Sequence, residues 1–114
     1  MNADIKKLWV EALRSGKYEQ GMARLHRASG AFCCLGVLCD LAVKAEVIPP
    51  PSRAYCGAAD EHYIYDGSAA YLPDSVATWA ALETQGVFTT TLVSYNDTRG
   101  YSFEQIANII EEQA

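Results

Sequence analysis

Apolar residues first recur along the chain at helical spacing. Ile5, Leu8, Trp9, Ala12 and Leu13 stand at i, i+3, i+4, i+7 and i+8, one stripe of an amphipathic helix. Asn2 or Asp4 can cap its start, and Gly16 can end it. The period changes in "MARLHRASGAFCC". Met22 to His26 partly alternate, "RASG" supplies turn residues and Ala31 to Cys33 can return, which predicts a short antiparallel hairpin. From about Cys34 to Ala45 the pattern is helical again. Leu35, Leu38, Cys39 and Ala42 make one face, and Val37 and Leu41 fill much of another. A helix apolar nearly all round is central and buried.

"VIPPPSRAYCGAADEH" reads as a long connection, because three consecutive prolines cannot continue a helix and favour extended polyproline geometry. In "HYIYDGSAAYLP", Tyr63 and Tyr65 alternate with Ile64, "DGS" turns and a second run reaches Tyr71, which predicts a second hairpin. Pro73 then opens a helix whose inner face holds Val76, Trp79 and Ala80, and "QGVF" breaks it. "TTTLVSYND" fits a short helix or a strand. "NDTRG" is a turn, and Ser102 with Gln105 forms a capping-box pattern ahead of the stripe Phe103, Ile106, Ala107 and Ile110. The order α, ββ, α, loop, ββ, α, short element, α predicts an α+β fold. It is expected to be one domain over residues 1–114, a small antiparallel sheet of two hairpins packed with about four helices.

Composition narrows the function classes. Half of the residues are hydrophobic and a fifth are charged, an ordinary globular balance. The N-terminus has no secretory apolar region, and the longest apolar run, around Leu35 to Val43, is interrupted by Asp40 and too short to span a bilayer. Cytosol is therefore expected. The net charge of −5 is unevenly divided. Residues 1–53 hold eight of the nine Lys/Arg and five of the fourteen Asp/Glu, a net of +3, and residues 54–114 carry −8. An acidic total argues against long nucleic acid, although a local arginine cluster can still hold a small anion.

Cys33, Cys34 and Cys39 crowd into "FCCLGVLCDLA". Adjacent cysteines diverge in regular structure and do not form a metal knuckle, although His26, Cys56 and His62 could be imagined completing a set. Nothing implies the oxidising compartment a disulfide framework needs. No metal and no cofactor is expected, since G-x-G-x-x-G, P-loop and HExxH patterns are all missing. The bland reading is a strand-to-helix core joint filled by thiols. The sharper one is a thiol nucleophile: Cys33 or Cys34 at a helix start, with His62 as base and Asp66, Asn96 or Asp97 to orient it. That order resembles papain-like hydrolases, whose local signature this segment lacks.

Candidate binding residues lie elsewhere. Tyr55, Tyr63, Tyr65 and Tyr71 cluster around the central connection and second hairpin, and tyrosine is enriched in binding surfaces. Arg24 and Arg27 flank the first turn, where an arginine fork could meet phosphate. Asn96 and Asp97 stand in the densest polar stretch ahead of the last helix. They serve as caps, or else they read the polar edges of a ligand.

The patterns "FCCLGVLCDL" and "LVSYND…SFEQIANIIEE", within nearly the full chain, resemble a group of small bacteriophage and prophage proteins without an assigned activity. The resemblance implies a protein of the host cytosol that modulates the host by binding. The expected function is then a non-enzymatic binding protein that sequesters a small anionic or nucleotide-derived defence signal. Tyr63, Tyr65 or Trp79 would stack on a base, Arg24 or Arg27 would meet phosphate, and Asn96 and Asp97 would read polar edges, in a pocket between the second hairpin and the last helix. The alternatives are an inhibitor or adaptor of a host protein and the Cys–His hydrolase. Self-association fits any of these.

Overall fold

The computed structural model describes residues 1–55, 61–83 and 86–113. Helix α1, Ala3–Arg14, begins where Asn2 caps it: the Asn2 side-chain oxygen accepts from the amides of Asp4 at 3.0 Å and Ile5 at 3.1 Å. Its stripe buries Ile5, Trp9, Val10 and Leu13, while Leu8, on the edge of the stripe, remains exposed. Strand β1, Glu19–Gln20, lies parallel to strand β2, Ala31–Phe32. Cys33 then stands in extended conformation just ahead of helix α2, Cys34–Lys44, without a side-chain cap bond. Strands β3, Ser52–Tyr55, and β4, Glu61–Ile64, form an antiparallel pair with Arg53 opposite Tyr63 and Ala54 opposite His62. Helices α3, Asp74–Ala80, α4, Val87–Asp97, and α5, Phe103–Gln113, complete the described fold.

Helix α2 is the centre. Cys34, Leu35, Gly36, Val37, Leu38, Cys39 and Ala42 are all buried, as its all-round apolar pattern requires. Helix α1 packs along α5 and touches α2, and α4 closes against both α2 and α5. Trp9, fully buried, donates its indole N–H to the Cys34 carbonyl at 2.9 Å, so the first helix is locked to the start of α2. The capping box of α5 forms: the Ser102 amide donates to Gln105 Oε1 at 3.0 Å, and the Gln105 amide donates to Ser102 Oγ at 3.2 Å.

The expected sheet of two hairpins with about four helices is not what forms. Among the described residues there are five helices and two separate two-stranded pairs, one parallel and one antiparallel. The first hairpin shrinks to one bridge, His26 to Phe32, around a turn in which the Gly30 amide donates to the Arg27 carbonyl. Its first arm cannot extend. Ala23 sits in the left-handed region at φ 69°, and Leu25 donates to the Ala69 carbonyl while accepting from Cys33. The returning strand therefore pairs with β1, an arrangement that adjacent-strand reasoning does not suggest.

The second hairpin is corrected similarly. β4 does form, but its partner is β3, which follows the prolines in the expected connection. Polyproline geometry lies close to β geometry, so the chain leaves the prolines already extended. On the other side, Asp66 and Gly67 take positive φ, and one Tyr65–Ser68 bridge closes the turn without a strand beyond it. The ambiguous "TTTLVSYND" is helical, part of α4.

Gly36 carries a sharp constraint. A Cβ there would lie 1.7 Å from the Leu25 carbonyl oxygen. Gly36→Ala is expected to cost about 3 kcal/mol or more, because the obstruction is backbone and not a flexible side-chain end. Urea unfolding followed by circular dichroism would read this as a lower midpoint, and an unchanged midpoint would refute the close crossing.

Candidate functional site

The expected site residues divide among three places. Tyr63 and Tyr65 belong to a ring cluster. The His26 imidazole stacks on Phe32 at 3.8 Å between centroids and on Tyr63 at 4.3 Å, and its Nδ1 shares a hydrogen bond with the Tyr65 hydroxyl at 2.8 Å. Tyr65 is buried, and the Arg53 guanidinium lies 5.8 Å from the Tyr63 ring centre. These rings stack on protein, not on an open space. Arg27 is drawn into the same region, its Nε donating to the Met22 carbonyl at 2.9 Å, and Arg24 is half-buried on the same segment. Trp79 packs against the core from α3.

Asn96 is a structural centre. Fully buried, it accepts from Gln20 at 2.9 Å and donates to the Gly21 carbonyl and to Asp97 Oδ1, both at 2.8 Å. Gln20 also donates to the Tyr101 carbonyl and accepts from the Phe103 amide. One amide pair thus joins β1, α4 and the start of α5. Helix α5 packs along α1, and the expected pocket between β4 and that helix does not unite the proposed residues.

The thiols show the opposite of nucleophile activation. Cys33, Cys34 and Cys39 are free and buried. Burial pushes the Cys33 thiol up to about 11, and the Asp97 carboxylate adds to the rise. Burial raises Cys34 and Cys39 well above the ordinary range too. Cys34 Sγ faces the Leu92 carbonyl at 3.8 Å. His62 is buried on β4, bridged to Arg27. Among the described residues, no three of His, Cys, Asp and Glu gather as a metal site, and Cys56 lies outside the described residues. Among them also, no helix is long and apolar enough to cross a membrane.

A cleft of about 280 Å³ opens beside these elements. Its walls are Ala23, Ala70 and Tyr71 on one side, and Thr89, Thr90, Val93 and Asp97 of α4 on the other, with Leu35 of α2 also lining it. Tyr71 stands on it 62% exposed. Tyr71 and Asp97 are the two residues of this lining that the sequence marks as binding candidates. The others were invisible as a site in the sequence, because Ala, Leu, Thr and Val carry no chemical signal and the segments are brought together by distant contacts such as Leu25 on Gly36 and on Ala69. Ala23, with its left-handed backbone, belongs to the same segment as Leu25. A second groove, of about 350 Å³, runs beside Lys6, Lys7 and Arg14, but there Arg14 is already held by Glu111 at 3.0 Å and Asn108 at 2.6 Å.

Two outcomes follow from this geometry. In native protein at neutral pH, Cys33, Cys34 and Cys39 are expected to resist iodoacetamide and to label only on unfolding, read by mass spectrometry; fast labelling at any of them would restore the nucleophile reading. Burial also lowers the His26 pKa below its ordinary 6.5, outweighing the pull of Asp40. The unfolded chain then binds the proton more readily than the folded one. This contribution to stability is complete above pH 6.5 and is lost as pH falls through the depressed folded value. Urea midpoints across that range should fall for the wild type and fall less steeply for His26→Gln.

No curated protein and no solved structure matches this chain. The family model described as "Domain of unknown function (DUF8296)" matches it over residues 1–114, and the chain belongs to that family.

Proposed function

We propose that this chain is a non-enzymatic binding protein and that the cleft between α4 and the Ala23/Tyr71 side is its recognition site. The observation that carries this reading is the cleft itself: mostly apolar walls with an exposed tyrosine and a carboxylate in the lining. Pockets of this kind, mostly apolar with few polar groups, are built to bind. Buried, protonated thiols support binding over thiol chemistry. Among the described lining residues the charged one is an acid, so a partner protein is favoured over an anionic nucleotide as occupant. The resemblance to small phage and prophage proteins supports a host factor of the cytosol as that partner.

Thr90 is exposed on the α4 wall, where a larger side chain fills the cleft without entering the core. Native mass spectrometry of wild type and Thr90→Trp, each purified from producing cells, tests the reading. The wild type is expected to carry a bound species that the variant loses, and the added mass separates a protein from a small molecule. Equal retention by both forms would place recognition elsewhere.

A further inference from the structure

We infer that the cleft accepts a cationic group on an aliphatic stem, the side chain of a lysine or arginine on a partner protein. This rests on the cleft being the recognition site, and three observations specify the chemistry. First, Asp97 is half-buried, and among the described residues it has no cationic partner. The side-chain amide of Asn96 donates to Asp97 Oδ1. Second, Asp97 is the last residue of α4, at the negative end of that helix, and the last turn holds no basic residue. A carboxylate there opposes the helix dipole, and a cation arriving beside it is favoured by both. Arg99, two residues on, lies 5.9 Å from the Tyr95 ring centre.

Third, the rest of the lining suits a stem. Ala23, Leu35, Ala70 and Val93 offer apolar surface, and the Thr89 hydroxyl already donates within its own segment, to the Glu83 and Gly86 carbonyls. Lysine and arginine bury their methylenes along such walls while the charged head reaches a partner. The exposed Tyr71 ring adds a face attractive to a cation. A neutral apolar occupant would cover Asp97 without compensating it, which is costly. An anion would meet it as a like charge.

The probes are three capped tripeptides, acetyl-Gly-X-Gly-amide, with X lysine, arginine or norleucine. Norleucine keeps the stem and lacks the charge. Binding to the full chain is followed by amide chemical-shift changes. The lysine and arginine peptides are expected to shift Thr89, Thr90, Val93 and Asp97, with the norleucine peptide weaker by about fivefold. In Asp97→Asn, which keeps shape and the hydrogen bond from Asn96, that preference should vanish, and added salt should narrow it in the wild type. Norleucine binding as well as lysine would overturn the cation assignment and leave the cleft as a recognition site. No shift at the cleft with any peptide would overturn the assignment as well, and the Thr90→Trp comparison then decides separately whether the cleft binds at all. A melting curve for Asp97→Asn that matches the wild type establishes that the comparison is between folded proteins.

Discussion

The carbonyl of Leu25 occupies the space that a side chain at position 36 would need. Much of the fold depends on that contact. It brings an irregular segment directly onto the central helix, with only glycine to separate them. From there Leu25 reaches in two directions, donating to Ala69 and accepting from Cys33. The first bond draws in the segment that carries Tyr71. The second fixes the start of α2, where Trp9 also attaches α1. A crossing of backbone on backbone thus organises both the core and one wall of the cleft.

What could be read from the residues was mostly local. Asn2 caps α1 and Ser102 with Gln105 boxes α5, because each motif satisfies amides within a few positions of itself. The all-round apolarity of α2 announced its central place. Pairing was another matter. Ala31 and Phe32 could extend beside either of two segments, and the choice of Glu19 and Gln20 came from distant geometry. Ser52 to Tyr55 look like a connection after three prolines, yet they supply the partner of β4. The β-branched threonines of "TTTLVSYND" favour strands weakly, and packing against α2 and α5 made them helical.

The site was still less legible. Tyr63, Tyr65 and Asn96 stand out by type, and each is spent on internal structure: two in rings around His26, one in an amide network. Asp97 is indistinguishable from a turn residue until the helix ending at it, and the cleft beside it, are known. A residue that stands out by chemistry is as often a buried necessity as a contact. The cleft joins two residues that do stand out, Tyr71 and Asp97, to alanine, leucine, threonine and valine side chains that do not.

The two walls of the cleft differ in how they are held. Asn96 and Gln20 pin the α4 wall to β1 and to the entry of α5 through a mesh of side-chain and backbone hydrogen bonds. The Tyr71 wall hangs on the Ala69 carbonyl and the small Ser68 turn, whose hydroxyl bonds the Tyr71 carbonyl and amide. Mechanically this is a vice with one jaw braced across three elements and the other held by its own turn and a backbone bond to Leu25. On the proposed binding role, the carboxylate of Asp97 is registered to the frame of the protein through Asn96, and the tyrosine is registered to its own turn.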